Sequence, residues 1–598
     1  MNQLIKTLLL IQMLGSIVMA KSIHYTLSMP EPHTHLFDVE MHLERARGKE
    51  IVALPVWTPG SYLIREYAKN VQDVSAVSQD GSPLSIHKID KNHWQVQGKG
   101  RQDILVRYRV YAFEHSVRTA FLDADHALVV PAAVFMYWQE NENREHKLHV
   151  NMPEAWSTIT TALKPFNVPG NVDFVAENYD VLADSPLELG NQHEIEFEVL
   201  GIPHLIGMYG ASNYVDSVLV QDFTKIIEAE AGIFGGLPYD HYAFIIHAEQ
   251  GYGGLEHSES SVNFIGRWSF TNEKRYKTFL GLISHEFFHV WNVKRIYPQG
   301  IAEFDYDAEN YMDELWVAEG FTSYYDELIL GRTGIKDRGD YLDMLTEEIN
   351  SLEKRNGKLH QSVTESSWDA WIKYYRTNEN SHNSTISYYN KGHLLGLLLD
   401  LIIINGSEGQ ASLDDVMLKL YRDFAQRQKG YTTEDVQKAC ESFSGTKLDQ
   451  FFADYVKGLE PLPYAQVLSL AGLDMDSTSE KSAYMGTSLR ERNGKLVITR
   501  VYEGSPAWSA GLNVNDELVA IDGFRSLNSP PEYLGEKVPG DRIVCTVARN
   551  GVLKDIQLTL GYKPVQLKRL QQTETPSDQQ KLVFEKWLGL DWNDKEDE

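Results

Sequence analysis

The chain has 598 residues, with 84 acidic against 56 basic side chains and a formal net charge of −28. That length exceeds what one core can organise and predicts about three or four domains, while the acidity disfavours nucleic acid and anionic lipid as partners. Only Cys440 and Cys545 are present, which implies no disulfide framework even in an oxidising compartment.

Residues 1–20 read as a secretory signal, with Lys6 in a short basic start, an apolar stretch from Leu8 to Val18, and Val18-Met19-Ala20 as a cleavage site. Secretion across the inner membrane into the periplasm is the expectation. The apolar stretch is about half of the roughly 20 residues a bilayer span needs. Leu394 to Ile404 is equally short and contains Asp400, so it reads as a core helix, and no stable membrane insertion is expected after cleavage.

Residues 21–190 alternate apolar and polar positions over short runs, as in Phe37 to Leu43 and Asp103 to Tyr111, and predict an antiparallel β domain. Residues 191–462 turn mainly helical after a mixed portion that includes the strand Tyr242 to His247. Residues 463–562 form a third pattern, from Tyr484-Met485-Gly486 through Gly504-Ser505-Pro506-Ala507 to Ile521-Asp522-Gly523. Residues 563–598 are polar apart from Val583, Phe584, Trp587 and Leu588, which predict a short docking helix. The fold class is therefore multidomain α+β.

Within the helical region, His285-Glu286-Phe287-Phe288-His289 has the H-E-x-x-H pattern. Apolar residues at Phe279, Leu282, Ile283, Phe287, Val290 and Trp291, with no proline, predict a buried helix over Thr278 to Ile296. Four-residue spacing on a helix puts both imidazoles on one face, where they can share one ion; on a strand they would stand roughly 13 Å apart. The candidate third ligand is Glu319, in a second predicted helix over Tyr311 to Leu330. Two histidines and a carboxylate leave a fourth position for water, which is the catalytic rather than the structural zinc arrangement. One Zn2+ per chain is expected. Glu286 points about 100° around the helix from His285, beside the metal, as a general base.

His285-Glu286-Phe287-Phe288-His289-Val290-Trp291-Asn292 followed by Leu315-Trp316-Val317-Ala318-Glu319-Gly320-Phe321 resembles the gluzincin metallopeptidases, and within them the glycyl aminopeptidase family that carries a PDZ domain. Trp57-Thr58-Pro59-Gly60-Ser61-Tyr62 is similar to that family's amino-terminal signature, and residues 463–562 look like its PDZ domain. The resemblance implies a thermolysin-like catalytic domain and a zinc aminopeptidase that prefers amino-terminal glycine or another small residue. It also implies that Gly253-Gly254-Leu255-Glu256 binds the substrate amine, with Glu256 as the charged partner, although His257 stands where related motifs have asparagine. Tyr389-Asn390-Lys391-Gly392 is similar to the motif that supplies the transition-state tyrosine; Tyr388 beside it leaves that assignment open. Peptides are the implied substrates, and the PDZ-like edge can take a peptide C-terminus or an extended segment. Two alternatives stand beside this reading: a zinc endopeptidase recruiting substrates by its PDZ domain, and a non-catalytic PDZ scaffold with a vestigial metal site.

Overall fold

The computed structural model describes residues 22–168, 171–478, 482–526 and 530–593. The expected secretory signal lies outside them. No helix among the described residues is long and apolar enough to cross a membrane.

The chain divides into two compact units. The first comprises the described residues up to 213 together with 239–268 and 305–309, and the second comprises 214–238, 269–304 and the described residues from 310 on. The change expected near residue 190 is therefore not where the units part. The cause is sheet continuity: Ile202–Tyr209 pairs in parallel with Tyr242–Glu249, and a parallel pair needs a long crossover, here the excursion through the helix Asp216–Phe234.

In the first unit, Leu36–Ala53 and His93–Tyr111 pair antiparallel as the spine of a nine-stranded sheet. The alternation read from the sequence is what buries it, since Phe37, Val39, Met41 and Leu43 meet Ile104, Val106, Tyr108 and Val110 in the core. One pair departs from the antiparallel expectation, because Ile23–Ser28 runs parallel to His146–Asn151. Between strands, Thr58-Pro59-Gly60-Ser61 makes a tight turn, with Ser61 N–H donating to Thr58 O at 3.1 Å and Gly60 at φ +84°. Proline followed by a positive-φ glycine is the type II pattern. A five-stranded sheet then runs His193–Val199, Ile202–Tyr209, Tyr242–Glu249, Ser260–Gly266, Gly253–Glu256, with the last strand at its edge.

A buried polar cluster also lies in this unit. Glu188 accepts from His126 Nδ1 at 2.8 Å and His247 Nε2 at 3.0 Å, and His247 Nδ1 meets His115 Nε2 at 3.0 Å. Burial alone would raise the Glu188 carboxyl, but His247 and His126 outweigh it and hold it below its ordinary value. His115, with burial and both other imidazoles against it, is lowered to about 4. A depressed carboxyl contributes stability that is present above about pH 4.5 and lost as pH falls through its folded value. Glu188→Gln is expected to cost on the order of 1–3 kcal/mol at neutral pH and to flatten the acid limb of a melting-temperature profile. An unchanged acid limb would contradict this assignment.

The second unit carries the long helices Glu273–Phe288, Gly320–Arg332, Arg338–Glu353 and Tyr388–Gly406. The last is nearly all buried, and its Asp400 is satisfied inside the core by Tyr324 Oη at 2.5 Å and Leu413 N–H at 2.8 Å. Tyr324 Oη in turn accepts from Trp587 Nε1 at 2.8 Å. Trp587 belongs to the helix Asp578–Leu588, whose Val583, Phe584, Trp587 and Leu588 are fully buried. Trp587→Ala therefore opens a cavity and strips a partner from a buried hydroxyl, an expected loss of about 3–5 kcal/mol. Chemical denaturation reads it directly, and a loss below about 1 kcal/mol, as at exposed positions, would show that the helix is not part of the core.

The PDZ-like sheet orders Thr487–Arg492, Lys495–Val501, Glu517–Ile521, Arg542–Arg549 and Val552–Thr559 around a core of Met485, Ile498, Leu518, Ile543, Cys545 and Leu558. Ser505 caps the helix Pro506–Ala510, which Gly511 ends at φ +82°. The expected start at 463 includes too much. Leu473–Thr478 instead pairs with Gln566–Gln572 in a separate two-stranded sheet, and Asn350 and Thr346 hydrogen-bond to Leu567 and Leu570 of that ribbon. Cys440 and Cys545 are both buried free thiols.

Candidate metal centre and amine site

The metal helix begins at the N-cap Asn272, whose side chain accepts from Arg275 N–H, and ends at Phe288 with His289 as its C-cap. It is shorter than the sequence predicts, because His289 Nδ1 donates to Asn292 O at 2.6 Å and the amides of Val293 and Lys294 both turn back to His289 O. Trp291 still packs inside, stacked on Phe234 at 4.6 Å. The second predicted helix is also broken: residues 310–314 are not helical, and Glu319 sits at φ −105° between Leu315–Ala318 and Gly320–Arg332.

These two breaks bring His285, His289 and Glu319 together. Glu319 Oε2 lies 3.5 Å from His285 Nε2 and 3.3 Å from His289 Nε2. Ligand atoms about 2.0–2.1 Å from a tetrahedral zinc stand roughly 3.3–3.4 Å from one another, so the spacing fits that ion. Both Nδ1 atoms are already engaged, His285 with Asp326 Oδ2 at 2.8 Å and His289 with Asn292 O. Each ring is thereby held in the tautomer that turns Nε2 toward the shared point. Burial would lower His285, yet its bonds to Asp326 and Glu319 raise it well above the ordinary imidazole value. Burial would raise Glu319, yet His289 and His285 hold it at about 2. A carboxylate so strongly held as the anion is suited to a cation.

Asp326 was not singled out from the sequence. It lies seven residues after Glu319, two helical turns along one face, and that spacing was the available signal. Asn292 reaches back with Nδ2 to Val317 O at 2.9 Å and Thr322 Oγ1 at 3.1 Å, clamping the segment before Glu319 to the end of the metal helix. Glu286 is buried on that helix beside His285. Glu314, five residues before Glu319, is engaged elsewhere and accepts from the Thr433 backbone and hydroxyl at 2.9 and 3.1 Å.

The glycines of the two motifs have a packing role. A Cβ on Gly320 would come within 2.5 Å of Gly392 Cα, and one on Gly392 within 2.4 Å of Trp316 O. The start of the helix Gly320–Arg332, next to Glu319, and the helix Tyr388–Gly406 therefore touch backbone to backbone. Of the two tyrosines, Tyr388 is fully buried and donates to Tyr375 Oη at 3.3 Å. Tyr389 is partly open, and its ring lies against that of His285, with centroids 6.1 Å apart. Burial and the Glu319 carboxylate raise its phenol well above the ordinary value, so it keeps its proton as a donor.

Glu256 belongs to the first unit, at the end of the edge strand Gly253–Glu256, where Gly254 faces Asn263 and Glu256 faces Ser261. Both glycines lie within that edge strand. Glu256 is 3% exposed, and its Oε1 accepts no hydrogen bond among the described residues. His257, the departure from the related motif, is fixed by Asp184 Oδ1 at 3.0 Å.

Residues 24–191 match the peptidase M61 N-terminal domain, 278–395 the M61 glycyl aminopeptidase and 483–560 a PDZ domain. The crystal structure of an aminopeptidase N family protein from Idiomarina loihiensis is 30% identical, covers 95% of this chain and 100% of its own, and superposes with a TM-score of 0.88. The chain belongs to the M61 glycyl aminopeptidase family. It is a metallo-aminopeptidase with a C-terminal PDZ domain, and the family implies a zinc cofactor. An M1 zinc metallopeptidase from Deinococcus radiodurans is also similar, at 13% identity over 74% of this chain and 95% of that one, TM-score 0.49. So is yeast LTA4 hydrolase in complex with bestatin, at 12% identity over 76% and 71%, TM-score 0.45. No curated protein matches the chain.

Proposed function

We propose that this enzyme removes single amino-terminal residues, glycine or another small residue, from peptides delivered to the periplasm. The observation that carries the reading is the convergence of His285 Nε2, His289 Nε2 and the Glu319 carboxylate at tetrahedral spacing, with both Nδ1 atoms occupied elsewhere. A zinc ion held there would polarise the scissile carbonyl and bring the pKa of a water toward about 7. Glu286 takes the proton of the attacking water and returns it to the leaving amine nitrogen. Tyr389 donates its hydroxyl proton in a hydrogen bond to the carbonyl oxygen as charge develops there.

Glu256 supplies the exopeptidase character. A buried carboxylate oxygen without a donor is costly, and an α-ammonium satisfies it with a charge-assisted bond. The edge strand Gly253–Glu256 offers backbone groups to an extended peptide, and the PDZ domain offers a second edge for a peptide tail. The test is a panel of aminoacyl-anilides differing only in the first residue, assayed before and after zinc is removed by a chelator and restored. The proposal expects zinc-dependent turnover that is fastest for glycine and small residues. Turnover indifferent to zinc, or fastest for large residues, would refute it.

A further inference from the structure

We infer that Gly60 is a positioning residue for the Glu256 carboxylate, an inference that rests on Glu256 binding the substrate ammonium. The turn that carries Gly60 is fixed from several sides. Trp57 Nε1 donates to Asp305 O at 2.7 Å, Arg65 Nη2 donates to Ser61 Oγ at 2.9 Å, and Arg65 N–H donates to Val56 O at 2.7 Å. Trp57, Thr58 and Ser61 are fully buried. The turn therefore has nowhere to retreat.

At this anchored position a Cβ would stand 2.7 Å from both Glu256 carboxylate oxygens and 2.8 Å from Leu255 Cδ1. Two separate demands fall on one residue. The positive φ of a type II turn favours glycine but accepts asparagine, whereas any Cβ at this position obliges the Glu256 carboxylate to shift. The bare Cα of Gly60 thus forms one wall against Glu256, fixing the carboxylate while Oε1 is left without a donor among the described residues. Preorganising a charged partner in this way spares the substrate the cost of ordering it.

A double-mutant cycle on the full-length zinc enzyme separates the contact from the turn. Gly60→Ala is expected to raise KM for a glycyl-anilide by about ten- to a hundredfold, with a smaller effect on kcat. Glu256→Asp withdraws the carboxylate by one methylene, so adding Gly60→Ala in that background is expected to change KM by less than about threefold. An equal cost in both backgrounds would overturn the inference and leave Gly60 serving the turn alone. If Gly60→Ala fails to fold, the same cycle is read in melting temperature: recovery on adding Glu256→Asp supports the contact, and no recovery overturns it. Glu256→Gln tests the underlying reading. An unchanged KM there removes the amine role itself, while a raised KM with an additive cycle removes only the role of Gly60.

Discussion

Glu286→Gln is expected to keep its zinc and to lose turnover by about 10²–10⁴-fold, the usual cost of removing a general base. The substitution preserves the shape of a buried side chain on the metal helix and leaves His285, His289 and Glu319 untouched. The loss should therefore appear in kcat rather than in metal content or folding. Metal analysis, a melting curve and steady-state kinetics on the same sample separate these. Near-normal turnover with zinc present would mean that another group carries the proton.

Glu319→Ala is expected to lose zinc, and activity with it. Glu319 Oε2 is the atom that both Nε2 nitrogens face, and it is the anion of the set. Removing it leaves only the two imidazole nitrogens as ligands. The drop in zinc affinity should exceed the about 10–100-fold typical of losing an outer partner such as Asp326. Competition with a chelator of known affinity measures it, and one equivalent of zinc at unchanged affinity would place the third ligand elsewhere.

Much of the site was legible in the sequence because its chemistry is local. Four-residue spacing places His285 and His289 on one face, and Glu319 lies in a flanking apolar run. What the sequence did not show is where helices stop. The apolar pattern continues through Trp291, yet His289 ends the metal helix because its ring and carbonyl are both used by the turn that follows. Likewise Glu319 interrupts the second helix rather than riding on its middle. Long-range partners were also out of reach. Periodicity gives Gly60 its turn but cannot say that Glu256 lies against it, 196 residues later in the chain. The start of the PDZ domain moved for the same reason, since Gln566–Gln572 returns to pair with Leu473–Thr478 and draws that segment away from the PDZ sheet.

The comparison that bears most directly on exopeptidase action by a zinc enzyme is the ratio of kcat/KM for a glycyl-anilide and its N-acetylated counterpart, measured on the wild-type zinc enzyme. If Glu256 binds the free ammonium, acetylation removes a charge-assisted bond worth roughly 1.5–3 kcal/mol and buries an unpaired carboxylate, so the ratio should be at least about ten to a hundred. Equal turnover of the two substrates would contradict it, and the metal centre would then serve an endopeptidase.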